Sequence, residues 1–175
     1  MVDEKDVQKG RIYFRRDPKG VEAAFNLTFP APKQVVFKDG MLNMYEPKID
    51  QLTERDVSKN KAEVESFLSL GFGARGDDLK KSYDVTLGGW ETIDGVKTAR
   101  LELVPKSQSV LNNIQRIVLW IDPARGISVQ QQFFQPSGDY RLAKYSDIQL
   151  NEKISDDVFK LKTTGKTQFV SPSGQ

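Results

Sequence analysis

Val21-Glu-Ala-Ala-Phe-Asn-Leu-Thr-Phe29 alternates with a period of two: Val21, Ala23, Phe25, Leu27 and Phe29 fall on one side, Glu22, Asn26 and Thr28 on the other. Successive side chains of a strand point to opposite faces, so this is the pattern of a half-buried strand. Gly10-Arg-Ile-Tyr-Phe-Arg-Arg16 reads the same way, and Asp17-Pro-Lys-Gly20 between the two supplies the residues of a tight connection. Gln34-Val-Val-Phe37, a Lys38-Asp-Gly40 turn, Met41-Leu-Asn-Met-Tyr45, a Glu46-Pro47 break and residues 48–55 follow. Asp-Gly between strand-like runs is a strong hairpin signal, so this half of the chain is expected to be an antiparallel meander.

Between Ser58 and Leu70 the apolar spacing becomes helical through Val64, Phe67 and Leu68, with Ser58 as the expected cap. A glycine-rich loop, Gly71-Phe-Gly-Ala-Arg-Gly76, leads into a short helical turn over 77–82. Strand patterns resume at 83–87, 98–104, 115–121, 127–134 and 140–148, separated by turn residues at Asp94-Gly95, Asp122-Pro-Ala-Arg-Gly126 and Pro136-Ser-Gly-Asp139. Ser155-Asp-Asp-Val-Phe159 reads as another helical turn, and the chain from Ser171 as a frayed tail. The expectation is a mainly β (α+β) single domain over residues 1–175, with about nine to eleven strands, one or two helices and no internal repeat.

Hydrophobic residues make up 38% of the chain and charged ones 29%, which suits a sheet wet on one side better than one buried on both. The net charge is +2 with both signs interspersed, so nothing marks a nucleic-acid partner. The chain has no His and no Cys. That excludes a Ser-His triad, thiolate catalysis, disulfides and Cys-based metal sites. No apolar stretch approaches the roughly 20 residues that span a bilayer, and residues 1–9 lack a signal-peptide core. The chain is therefore expected to be cytoplasmic or to have lost a targeting segment.

Gly71-Phe-Gly-Ala-Arg-Gly76 matches the dinucleotide-binding G-x-G-x-x-G pattern in letters only, because a helix precedes it where a strand is required. A flexible hinge is the plainer reading. Arg75-Gly-Asp77 spells an adhesion tripeptide of the kind that arises by chance. Asp77-Asp78 and Asp156-Asp157 are sequence neighbours rather than pairs held across a cleft, and no loop has calcium-binding spacing. Trp90, Trp120, Phe133 and Phe134 read first as packing residues. Collectively, an apolar face of about ten strands under one helix and a loop leaves room for a cavity, unless a closed barrel or second layer fills it.

The order of Gly10-Arg-Ile-Tyr-Phe-Arg-Arg-Asp-Pro18, Val36-Phe-Lys-Asp-Gly-Met-Leu-Asn-Met-Tyr-Glu-Pro47, Arg100-Leu-Glu-Leu-Val-Pro105, Ile117-Val-Leu-Trp-Ile-Asp122 and Ile154-Ser-Asp-Asp-Val-Phe-Lys-Leu161 resembles the LolA/LolB-type outer-membrane lipoprotein carrier family. The likeness covers residues 10–161. It implies a curved, incomplete antiparallel β-barrel whose apolar concave face takes up lipoprotein acyl chains in the periplasm, with no cofactor and no catalysis. Ile12, Phe14, Phe25, Leu27, Leu42, Met44, Leu101 and Leu103 of the sheet would line that cavity. Val64, Phe67 and Leu68 would line it from a helical lid over about 58–82, hinged at Gly71, Gly73 and Gly76.

In the family a basic residue at the end of the G-x-[aromatic/aliphatic]-x-[KR]-R-P strand helps hold the lid shut. Arg16 matches it and shares a face with Ile12 and Phe14; the Asp17 inserted before Pro18 makes Arg15 the other candidate. The resemblance further implies an inner-membrane ABC-type release complex and an outer-membrane acceptor as partners. The family's N-terminal helix and first strand are expected to be missing, leaving a sheet edge open to self-association. A periplasmic sensor domain responding to lipid or misfolded envelope protein is the alternative on the same fold, and an enzyme of unknown chemistry a third reading.

Overall fold

The structure, a computed structural model, describes residues 5–73 and 76–172. Eleven strands and three short α-helices are formed among these residues. They divide between two compact units, one of residues up to 68 together with those from 152 onward, the other of residues 69–151. Each unit is built on one sheet, and neither sheet closes on itself. The chain is thus mainly β with open antiparallel sheets and few helices, the class expected from its sequence.

In the first unit β1 (Lys9–Asp17), β2 (Gly20–Phe29), β3 (Lys33–Lys38), β4 (Met41–Glu46) and β5 (Gln51–Asp56) pair in sequence order as the anticipated meander. The turn between β3 and β4 places Asp39 at φ 51° and Gly40 at φ 74°. Two consecutive left-handed residues match the twist of a hairpin, which is why Asp-Gly marks it. β5 begins three residues later than expected, because Ile49 N and Asp50 N donate back to Glu46 O and Pro47 O and hold residues 47–50 in a turn.

Two further elements complete this unit. A C-terminal strap crosses one face of the sheet, where Phe159 packs with Ala24 and Val36, joined by Tyr13, Ile154, Val158 and Leu161. Ser155 caps its helical turn Asp156–Phe159, its side chain accepting from Asp157 N as the Ser-Asp-Asp spacing suggests. The last strand, β11 (Gln168–Val170), pairs parallel with β5. Three residues with no alternation gave no sequence signal for it. What fixes it is Asp50, whose carboxylate accepts from Thr164 Oγ1, from Thr167 Oγ1 at 2.7 Å and from Tyr45 OH at 2.9 Å.

Those donors, Thr164 first and then Thr167, hold the Asp50 carboxyl below its usual range. A carboxylate with a depressed folded-state pKa stabilises above its unfolded pKa, and that stabilisation is lost as pH falls through the folded value. Amide protection of Gln168–Val170 is therefore expected to hold at neutral pH and to disappear only below the normal carboxylate range. Asp50→Ala should remove it at every pH, as hydrogen exchange would read.

The helix expected from Ser58 starts later. Ser58 does not cap it: Asp56 Oδ1 accepts from Ser58 N at 2.9 Å, a turn Ser58–Asn60 follows, and α1 spans Lys61–Leu68. In the second unit α2 (Gly76–Ser82) precedes β6 (Tyr83–Ile93), β7 (Val96–Pro105), β8 (Arg116–Asp122), β9 (Ile127–Phe134) and β10 (Tyr140–Lys144), which pair consecutively. α3 (Gln108–Leu111) lies between β7 and β8. β6 does not stop at Leu87: a register shift between Leu87 and Trp90 carries it past Gly88-Gly89 to a second left-handed Asp94-Gly95 turn. Leu103, Ile117 and Leu119 are wholly buried on one face of this sheet. On the other, Val118, Trp120 and Val129 pack with Ile93, Phe134 and Ile148, and Trp120 Nε1 donates to Glu91 Oε2 at 2.8 Å.

Candidate functional site

The register of the first sheet sorts its side chains unambiguously. Ile12 stands opposite Phe25, Phe25 opposite Val35, Val35 opposite Met44, Phe37 opposite Leu42, and Gly10 opposite Leu27. Directly opposed residues share a face, so Ile12, Phe14, Phe25, Leu27, Leu42 and Met44 lie together on the side away from the strap. Ile12 is exposed and the other five are half-buried. An apolar sheet face that keeps its water-accessible area is what a greasy ligand requires, and what a sealed core does not leave.

At one end that face is closed. Val21, Ala23 and Phe37 are buried, and α1 packs on β2 with Val64, Phe67 and Leu68 half-buried. Two polar contacts tie the helix to the β1–β2 turn: Glu65 Oε1 accepts from Val21 N at 3.2 Å, and Lys61 Nζ donates to Lys19 O at 3.2 Å. Lys61 and Glu65 also face each other at 3.7 Å, one helical turn apart. Sequence reading missed this fastening. The Lys61/Glu65 spacing was visible, but its backbone partners lie some forty residues away.

The two arginines separate. Arg16 falls opposite Val21 on the apolar side, whereas Arg15 falls opposite Glu22 on the strap side. There Arg15 pairs with Glu22, with Asp156 at 2.7 Å, and stacks over the Phe159 ring at 4.5 Å. The hydrogen bonds it donates to Glu22, and then to Asp156, raise its pKa above the ordinary value. Arg15 thus fastens the strap to the sheet. Arg15→Ala leaves Glu22, which is 8% exposed, with only Lys38 at 3.5 Å. A cost of roughly 1–3 kcal/mol is expected, with faster exchange of the Asp156–Phe159 amides.

The second unit holds the remaining expected residues. Leu101 and Leu103 share a face through their register with Leu119 and Ile117. Leu101 is half-buried, but Leu103 has no exposed surface and belongs to the packed interior, which corrects its assignment as a ligand contact. Gly71 is also different from the hinge expected. It is buried at φ 76°, Ser128 N donates to its carbonyl at 2.8 Å, and Gln131 Nε2 donates to Leu70 O at 2.6 Å. Phe72 meets Tyr145 edge-on at 5.3 Å, and Tyr145 OH donates to Gln131 Oε1 at 3.2 Å. Burial pushes the Tyr145 hydroxyl up to about 12, so it stays a neutral donor. Residues 70–72 are a clamp rather than a pivot. Gly73 and Gly76 have open space around the position of a Cβ. Residues 74 and 75, which include the first residue of the Arg75-Gly-Asp77 tripeptide, lie outside the described residues, and Gly76 and Asp77 open α2.

No cluster of metal-binding side chains is formed among the described residues, and no described helix is long and apolar enough to cross a membrane. Among curated proteins, none matches the chain. Solved structures similar to it include the Pseudomonas aeruginosa MucA/MucB complex, at 16% identity over 88% of this chain and 50% of that one, TM-score 0.47. A putative outer membrane lipoprotein-sorting protein domain from Vibrio parahaemolyticus is 13% identical over 83% and 65%, TM-score 0.44. A LolA superfamily protein from Nitrosomonas europaea is 20% identical over 84% and 65%, TM-score 0.38. The chain spans about half the length of the first of these. The family model of the outer membrane lipoprotein carrier protein LolA matches residues 2–162, nearly the whole chain, and on that match the chain belongs to the LolA family.

Proposed function

We propose that the protein is a non-catalytic periplasmic carrier that binds the acyl chains of lipoproteins or other lipids on the apolar face of its first sheet. The observation that carries this reading is the face itself: Ile12, Phe14, Phe25, Leu27, Leu42 and Met44 aligned by register, with none of them sealed from solvent. Each acyl methylene removed from water contributes about 0.8 kcal/mol, so a dozen contribute roughly 10 kcal/mol before ordering costs. No reacting group is required. Release needs a cover that can lift, and α1, joined to the Lys19–Val21 segment through Lys61 and Glu65, would be that cover. An inner-membrane release complex and an outer-membrane acceptor are the partners this cycle would call for. Arg16, near the end of β1 on the apolar side, would be the residue that acts on the cover.

Native mass spectrometry after mild extraction tests the proposal. Co-purified lipid or an acylated protein is expected. A stoichiometric protein partner without lipid would favour the sensor alternative, and neither would leave carriage unsupported.

A further inference from the structure

The second sheet ends on β10, whose outer side has no partner strand among the described residues. Gln135 N donates to Asp139 O and Tyr145 N to Val129 O, so Arg141 and Ala143, at the alternate positions between them, bond inward to β9. In an antiparallel pair such residues alternate with others whose N–H and C=O point away from the partner. Tyr140, Leu142 and Lys144 therefore present their backbone groups outward. Tyr140 and Leu142 are 53% and 46% exposed, and only Ala143 of the strand is half-buried.

The charge at this edge has one sign. Arg141 and Lys144 are exposed, and neither is paired with a carboxylate among the described residues. β9 behind them carries no charged residue. The acids nearest in sequence lie beyond the strand ends: Asp139, whose carboxylate accepts from Ser137 Oγ at 2.7 Å, and Asp147. The edge of β1 is also basic, but there Arg15 is already committed to Glu22 and Asp156.

We infer that β10 is a docking edge for an extended, acidic segment of a partner protein, which adds to the sheet as a further strand. Pairing would satisfy the outward groups of Tyr140, Leu142 and Lys144, and a strand added to a sheet edge draws its affinity from such main-chain bonds. Specificity would come from the side chains directly across. A carboxylate would stand opposite Arg141 on one face, and on the other a second carboxylate opposite Lys144 and an aliphatic group opposite Leu142. A second copy of this chain is the poorer occupant: two β10 strands side by side would bring their arginines and lysines together with no carboxylate, the repulsion by which charges on an edge discourage self-pairing.

The probe is the capped peptide Thr-Glu-Val-Val-Glu-Thr, whose antiparallel alignment sets its glutamates across from Lys144 and Arg141 and a valine across from Leu142. Added to the intact protein, it is expected to slow hydrogen exchange at the Tyr140, Leu142 and Lys144 amides. Replacing both glutamates with lysine should weaken binding about tenfold, since two cross-strand pairs turn from attractive to repulsive. The double variant Arg141→Glu, Lys144→Glu changes only exposed side chains, so it should fold, and its preference between the two peptides should invert. No protection at these amides, protection at β1 or β6 instead, equal affinity for the two peptides, or no inversion in the folded double variant would overturn the inference. So would protection of the same amides that rises with protein concentration in the absence of peptide, which would assign the edge to a second copy.

Discussion

Gly71→Ala is expected to destabilise the second unit by about 3 kcal/mol. Two costs combine. The backbone at Gly71 sits at φ 76°, where an L side chain costs roughly 1–2 kcal/mol. A Cβ there would also stand 2.0 Å from Ser128 Oγ and 2.7 Å from Gln131 Nε2. Neither can retreat, because Ser128 is wholly buried and Gln131 is held by Leu70 O. Urea unfolding would read the loss as a lower midpoint at unchanged slope. Gly73→Ala keeps a similar left-handed backbone but has open space, so it should cost only the conformational part. Equal losses at the two positions would mean that residues 70–72 do not clamp the sheet as described.

Phe25→Glu is expected to reduce binding of a fluorescent fatty-acyl probe at least ~100-fold with the far-UV spectrum unchanged. The ring lies in the middle of the apolar face, flanked by Ile12 and Val35, and is only half-buried. A carboxylate there stays hydrated in the empty protein but must lose water beneath an acyl chain. A penalty of about 3 kcal/mol corresponds to the stated factor. Thr28→Glu is the control: the same strand, exposed, on the other face by parity. Equal loss from both variants would point to a general charge effect rather than to the face.

The meander of the first sheet was legible because its apolar residues repeat every second position and its turns carry Asp-Gly or Pro and Gly. The same rule set the faces, and so brought Ile12, Phe14, Phe25, Leu27, Leu42 and Met44 together before any coordinates. What escaped were features whose cause lies far along the chain. β11 depends on Asp50, more than a hundred residues before it, and Arg15, the second candidate for the lid latch, has its partners Asp156 and Phe159 in the strap. The strand pattern was followed only over 83–87, although a register shift carries β6 past Gly88-Gly89. Gly71 looked free because glycine permits motion, yet here the absent side chain serves close approach to Ser128. Leu103 shows the limit of alternation: it names the face, but not whether that face is packed or open.

Photo-crosslinking with a diazirine-bearing palmitoyl chain, mapped by peptide mass spectrometry, tests the central claim most directly. Adducts are expected on β1, β2 and β4 at Phe14, Phe25, Leu27 or Met44, and should be lost in Phe25→Glu. Adducts confined to the strap at Phe159 and Leu161, or none above an unlabelled control, would contradict acyl binding on this face.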